Sequence, residues 1–228
     1  MSGINADKLL AKITHYDKDE RYMCLIDICH ALTAMPQNVR LEPSNETKLL
    51  KAILVVLDKD TVVDVQAIAV RTLSLLVTKI SESAVADLCD KLSSQVFVGP
   101  KEMRDVYAVG LKTILLEVPN TPQMASAVLK AILPKVLSQG LKDPSSSVSA
   151  GNASNVKADV RSESLEVALD LVKRFGFAFQ AQDAHDLMMA TVECVLDKNQ
   201  VNIRRRATVT LGALSLYLSD AQLDQLVG

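Results

Sequence analysis

The chain has 228 residues, with 25 Lys and Arg against 27 Asp and Glu and 49% hydrophobic residues, enough apolar material for a continuous core. A net charge of -2 excludes a broadly basic nucleic-acid coat, and 4% aromatics with no Trp exclude base-stacking platforms and sugar-binding aromatic shelves. The opening residues carry no apolar signal-like run, and the longest apolar run, Ala52 to Leu57, is too short to span a membrane. Cys24, Cys29, Cys89 and Cys194 form no C-x-x-C pair, so the expectation is a soluble intracellular protein from a reducing compartment.

Apolar residues recur at i, i+3, i+4 and i+7 from end to end, as Leu49, Ala52, Ile53, Val56 and Leu57 illustrate, and hairpin turn signals are missing. This spacing predicts helices in pairs. Asn5–Tyr16 and Asp19–Met35 form the first pair, and Asn45–Asp58 and Val62–Lys79 the second. Glu82–Phe97 and Pro100–Val118 follow, then Pro122–Leu141 and Lys157–Phe177, then Ala181–Asp197 and Val201–Leu218. Ser44 or Asn45 is a candidate cap for the second pair, and Thr121 before Pro122 reads as an N-cap followed by an N1 proline. Pro134 should kink the helix that contains it. The Ser-rich stretch 145–155 is expected to be a flexible loop within the fourth repeat. After Ser219 a further first helix opens without its partner, as expected of a fragment of a longer chain.

Five short segments align without gaps, ending at Arg21, Gln66, Arg104, Arg161 and Arg204; this last position is denoted p. Position p+7 is then Ile28, Leu73, Leu111, Ala168 and Leu211, and p+10 is Ala31, Leu76, Ile114, Leu171 and Leu214. Successive p residues stand 45, 38, 57 and 43 apart, and the long interval contains the Ser-rich stretch. A period near 40–47 is that of HEAT helix pairs. The expected fold is therefore all-α, a HEAT-repeat right-handed superhelix in a single array of about five pairs plus the start of a sixth. In such arrays an Asp in the turn and a basic residue at the start of the second helix stack between neighbours. Asp19 with Arg21 and Asp159 with Arg161 are the candidates.

Signals for catalysis are poor. His15, His30 and His185 have no second His at metal-ligand spacing, and Asp27 with His30 supplies only two ligands. Cys29 and His30 are adjacent and about 100° apart on a helix, so they face different ways. Glu163 and Glu166 read as a solvated helix face rather than an acid/base pair. No cofactor, metal or catalytic residue is expected. Arg204-Arg205-Arg206 is the densest positive charge; it is either a grip for phosphate or an acidic protein surface, or a packing Arg204 beside two ordinary surface charges. The second helices should line the concave face. Their side opposite p+3, p+7 and p+10 carries Tyr22, Ile26, Arg71, Asp105, Val109, Lys112, Lys173 and Arg205. Apolar and basic residues mixed in this way suggest a protein-binding surface, with Tyr22, Ile26, Arg71, Val109, Lys112, Lys173 and Arg205 as candidate contacts.

In register, these repeats carry more specific strings. Ile4, Leu9-Leu10 and Lys12-Ile13, followed by Asp17-Lys18-Asp19-Glu20-Arg21-Tyr22-Met23, resemble the amino terminus of the cullin-associated, neddylation-dissociated proteins. Asp64-Val65-Gln66, Met103-Arg104-Asp105 and Ile203-Arg204-Arg205-Arg206 with Leu211-Gly212-Ala213-Leu214 extend the resemblance over nearly the whole chain. The stretch 145–155 departs from it. The resemblance implies a non-catalytic scaffold whose amino-terminal repeats clasp an unneddylated cullin and its RING subunit. Its family acts in substrate-receptor exchange on cullin–RING ubiquitin ligases in cytoplasm and nucleus. Neither nucleic acid nor membrane is an expected partner, and the chain is expected to be a monomer in isolation. The alternative is a generic HEAT adaptor of the phosphatase-scaffold or transport-receptor type.

Loop lengthening costs only about 0.6 kcal/mol per doubling. Replacing residues 145–155 with a short Gly-Ser linker should therefore leave the melting temperature nearly unchanged; a fall of many degrees would show that the stretch packs.

Overall fold

A computed structural model describes residues 12–142 and 153–227, with side chains given for residues 12–142 and 158–226. Its helices are α1 (Lys18–Ala34), α2 (Pro43–Lys59), α3 (Val63–Leu76), α4 (Glu82–Val98) and α5 (Lys101–Glu117). They continue as α6 (Pro122–Lys135), α7 (Ala153–Phe175), α8 (Ala181–Val195), α9 (Val201–Leu214) and α10 (Asp220–Val227). No strand occurs among the described residues. The second helices α1, α3, α5, α7 and α9 pack successively against one another and form one layer. The first helices α2, α4, α6 and α8 form the other, and α2 with α3, α4 with α5, and α8 with α9 are in direct contact across the layers. The protein is an all-α helical solenoid.

The ends of these helices follow from local chemistry. Asp17 caps α1 by accepting the Asp19 amide, Ser81 caps α4 by accepting that of Ala84, and Thr121 caps α6 by accepting that of Met124. The cap of α2 differs from expectation. The helix begins at Pro43 with Glu42 as N-cap and no side-chain cap bond, so Ser44 and Asn45 lie inside its first turn. A proline at N1 brings the helical φ ready-made and has no amide to satisfy. Pro134 acts one residue before the α-helix ends: α6 stops at Lys135 and continues as a π-helical turn, Val136–Gly140. A Cβ on Gly140 would stand 2.2 Å from Ser164 Oγ, so a glycine is what lets this turn lie against α7. Of the expected loop 145–155, residues 145–152 lie outside the described residues, and 153–155 already belong to α7.

One apolar core runs through the array from Ile13 to Leu214. The p register accounts for it: Ile28, Leu73, Leu111 and Ala168 at p+7 and Leu76, Ile114, Leu171 and Leu214 at p+10 are buried. Leu211 and Ala31 are only half-buried. Both lie on α9 and α1, the two end helices of the second-helix layer among the described residues, which have a layer neighbour on one side only.

Leu111 is fully buried on the central second helix, which packs against α3, α4 and α7. Leu111→Ala should cost about 2–5 kcal/mol, the usual range for such a truncation, read as a shift in urea midpoint at constant slope. A loss under about 0.5 kcal/mol, typical of surface sites, would refute this packing.

Candidate protein-binding face

At four of the five p positions the side chain does one recurring job. Arg21 donates from Nη1 to the carbonyls of His15 and Tyr16, both at 2.9 Å. Gln66 Nε2 donates to the Asp60 carbonyl at 2.7 Å, Arg104 Nη2 to that of Gly99 at 3.1 Å, and Arg204 Nη1 to that of Asp197 at 2.8 Å. These carbonyls sit where the first helix of each pair ends, and the last carbonyls of a helix have no partner within it. Position p therefore caps the first helix from the second. A cation at a helix C-terminus is also favoured by the helix dipole, which explains why Arg recurs there.

Arg21 and the remaining p residue, Arg161, bond to the neighbouring repeat, and their acidic partners are not the expected Asp19 and Asp159. Arg21 grips Asp60 through two bonds, Nε to Oδ2 at 2.6 Å and Nη2 to Oδ1 at 3.1 Å, and Arg161 Nη1 reaches Asp197 Oδ2 at 2.9 Å. The acidic partner is thus in the turn of the next repeat. Asp19, in the first turn of α1, and Asp159, in the second turn of α7, are exposed and take no part in these pairs. Asp60 and Asp197 are held ready by their own turns: Asp60 accepts the Val62 amide at 3.0 Å, and Asp197 Oδ1 accepts those of Asn199 and Gln200 at 2.9 Å. Burial of Asp60 pushes its carboxyl upward, but the Arg21 guanidinium and the Val62 amide outweigh this and hold it below the ordinary carboxylate range.

With α1, α3, α5, α7 and α9 side by side, the candidate contacts take definite places. Tyr22 is 37% exposed and Val109 58%, while Arg71, Lys173 and Arg205 are exposed. Ile26 is half-buried and packs against the core. Lys112 is half-buried between two carboxylates, 2.7 Å from Glu163 and 2.5 Å from Glu166. Arg206 pairs with Glu166 from the other side. This Lys112–Glu163–Glu166–Arg206 network crosses α5, α7 and α9. Glu163 and Glu166 are therefore interhelical partners rather than a solvated face, and of the Arg204–Arg206 run only Arg205 projects as an exposed charge. Asp27 and His30 are exposed, whereas Cys29 is buried with its sulfur 3.2 Å from Thr72 Oγ1.

The structure brings Tyr22 and Arg71 together on one cavity between α1 and α3. Lys173 and Arg205 stay near opposite ends of their helices. Three further exposed apolar residues are not among the candidates: Leu116 (61% exposed) on α5, Val209 (55%) on α9, and Leu216 (80%) in the 3-10 turn Ser215–Tyr217 that follows α9. Their signal was present, since Leu116 and Leu216 both stand at p+12 and Val209 at p+5. Among the described residues no cluster of three His, Cys, Asp or Glu could hold a metal, and no helix is long and apolar enough to cross a membrane.

No family model matches the sequence. Relatives are nevertheless found along nearly its full length. The chain is 26% identical over 222 residues to cullin-associated NEDD8-dissociated protein 1 of Arabidopsis thaliana, which covers 96% of this chain and 17% of that protein. It is 27% identical over 231 residues to cullin-associated NEDD8-dissociated protein 2 of Mus musculus, again 96% of this chain and 17% of the other. A protein of Emericella nidulans described as the N-terminal part of cullin-associated NEDD8-dissociated protein 1 is 26% identical over 238 residues, 98% of this chain and 69% of its own length. The similarity read from the repeat strings is therefore to the amino-terminal part of this family. Two engineered proteins of known structure superpose on 93% of the chain with TM-scores of 0.39 and 0.38 at 13% and 14% identity. Those values are too low to add to the fold, which stands on the helix packing above.

The Arg21–Asp60 pair carries a pH signature. A carboxyl held low in the folded state contributes stability that is full above its unfolded pKa, about 3.9, and fades as pH falls through the folded value. Asp60→Asn should cost about 1.5–3 kcal/mol at pH 7, the range for hydrogen bonds to charged groups. The difference from the parent, measured by urea unfolding, should narrow as the pH is lowered toward 3. A cost that is the same at both pH values would show that the charge on Asp60 is not what holds the repeats together.

Proposed function

We propose that this chain is a non-catalytic helical scaffold that binds a cullin and its RING subunit in the unneddylated state. In this reading it is one portion of an assembly factor for cullin–RING ubiquitin ligases, acting in substrate-receptor exchange in cytoplasm and nucleus. The observation that carries the proposal is the match along 96% of the chain to proteins named cullin-associated NEDD8-dissociated. The second-helix layer supports it: Tyr22, Val109, Leu116 and Leu216 stand exposed beside Arg71, Lys173 and Arg205. Aromatic, aliphatic and Arg side chains on one face are the composition of protein-binding surfaces rather than of nucleic-acid or membrane surfaces.

Affinity should be modest. The chain matches 17% of the length of the Arabidopsis and mouse relatives. It offers only a share of the roughly 2,000–5,000 Å² that permanent assemblies bury, and it lacks the avidity of about 10²–10⁴ that linked sites confer. Titration against a purified cullin–RING carboxyl-terminal region should give a micromolar Kd, weakened when the cullin is neddylated. Tyr22→Ala and Arg205→Glu should each weaken it further. Absence of binding at high micromolar concentration would overturn the reading in favour of a generic adaptor. Binding that both variants leave unchanged would keep the partner and move the contact off this face.

A further inference from the structure

Arg71 is the one feature of this face whose chemistry points to a specific ligand. It lies at p+5 on α3, where the flanking helices place Ile26 and Val109, and its side chain makes no hydrogen bond or ion pair with any described residue. The other arginines of the amino-terminal half, Arg21, Arg40 and Arg104, all have partners. An exposed guanidinium left unpaired among apolar neighbours is an open half of a salt bridge.

Arg71 and Tyr22 line a cavity of about 430 Å³ between α1 and α3, within the size range of ligand sites. Its apolar lining comes from Val62, Val65, Ala67 and Ile68, of which Val65 and Ile68 are buried and form the floor. The other charges of the lining, Lys18, Asp19 and Asp64, occupy the first turns of their helices, about one turn before Tyr22 on α1 and two turns before Arg71 on α3. The two helices run in the same direction. The Arg21–Asp60 pair joins their starts, and Lys79 Nζ, just past the end of α3, donates to the Met35 and Pro36 carbonyls at the end of α1. Asp64 and Arg71, seven residues apart on α3, are therefore separated by about 10 Å along the axis. Asp19 and Asp64 stand beside Lys18 and the positive N-terminal ends of both helices, and Arg71 has no ion-pair partner among the described residues. The cavity thus joins an apolar lining to two charged places, the first helical turns with Lys18, Asp19 and Asp64, and the unpaired Arg71 farther along α3.

We propose that this cavity is an anchor site for an internal Asp or Glu of a partner protein. The carboxylate is held bidentately by Arg71 with the Tyr22 hydroxyl beside it, and an adjacent aliphatic residue of the partner lies over the apolar floor. The inference deepens the reading of this face as a protein-binding surface and rests on it for the identity of the partner; the cavity's preference for an acidic residue stands on its own geometry.

The test has two arms. In the first, ¹⁵N-labelled protein is titrated with the capped tripeptides Leu-Glu-Leu, Leu-Gln-Leu and Leu-Lys-Leu. The Glu peptide should give saturable shifts at the amides of Tyr22, Ala67 and Arg71 and bind at least about tenfold more tightly than the others, the size of effect a charge-assisted bond supports. Arg71→Gln should erase that preference, and Tyr22→Phe, which keeps the ring, should reduce it. Equal binding of the three peptides, saturable shifts confined to other residues, or no saturation at tens of millimolar would each overturn the proposal. In the second arm, Arg71→Glu is titrated against the cullin–RING region and should bind at least tenfold more weakly than the parent. A parent that selects the Glu peptide but ignores the cullin–RING region would keep the anchor site and remove the proposed function. A parent and an Arg71→Glu variant that bind that region equally, without peptide selection, would keep the function and remove the anchor site.

Discussion

Where a first helix ends, its unsatisfied carbonyls must find donors, and in four of the five pairs they find one on the second helix of the same pair. Arg21, Gln66, Arg104 and Arg204 all reach back to that point. The bond sets the depth at which the two helices of a pair slide past each other, because a long side chain rooted one turn into the second helix must meet a carbonyl at the end of the first. Once this offset repeats, the apolar residues at p+7 and p+10 come into line from pair to pair and a single core results. Arg21 extends this contact to the turn of the next repeat and Arg161 makes the same cross-repeat bond, so the polar edge of the solenoid and its apolar interior are held in one register.

The pairs near the middle depend on a different device. Pro134 cannot donate an amide within its helix, and the π-helical turn that follows carries Gly140 against Ser164 of α7. Lys135 meanwhile reaches the Asp90 carbonyl on α4 at 2.7 Å and its carboxylate as well. A broken helix thus makes contacts on two sides that a straight one would not make at the same point. A comparable polar tie joins the first-helix layer to the next turn at Glu46, buried with its carboxylate accepting both the amide, at 2.8 Å, and the hydroxyl, at 2.6 Å, of Ser81. Buried charge is tolerated there because every lone pair that matters has a donor.

The outer face of the second-helix layer divides into two chemically different halves. Across α5, α7 and α9 the charges satisfy one another in the Lys112–Glu163–Glu166–Arg206 network, which stiffens that half and leaves its apolar residues, Val109, Leu116 and Leu216, as the open surface. Across α1 and α3 no such network forms among the described residues, and Arg71 is exposed with Tyr22 on one cavity.

The helical character, the pairing and the register of the core were legible in the sequence. They rest on periodicity and caps, which act within a turn or two of chain: Ile28, Leu73 and Leu111 could be placed in the core from spacing alone, and Thr121 with Pro122 marked a helix start. What the sequence could not settle was which charge meets which. Asp19 stands two residues from Arg21 and was the natural partner by proximity, yet the partner is Asp60, thirty-nine residues away; Glu163 and Glu166 looked solvated until Lys112 and Arg206 arrived from neighbouring helices. The physical reason is one of range. Burial patterns are imposed on each helix by its own 3.6-residue repeat, whereas a salt bridge depends on the offset between helices. That offset is decided only when the apolar faces pack and the capping bonds close.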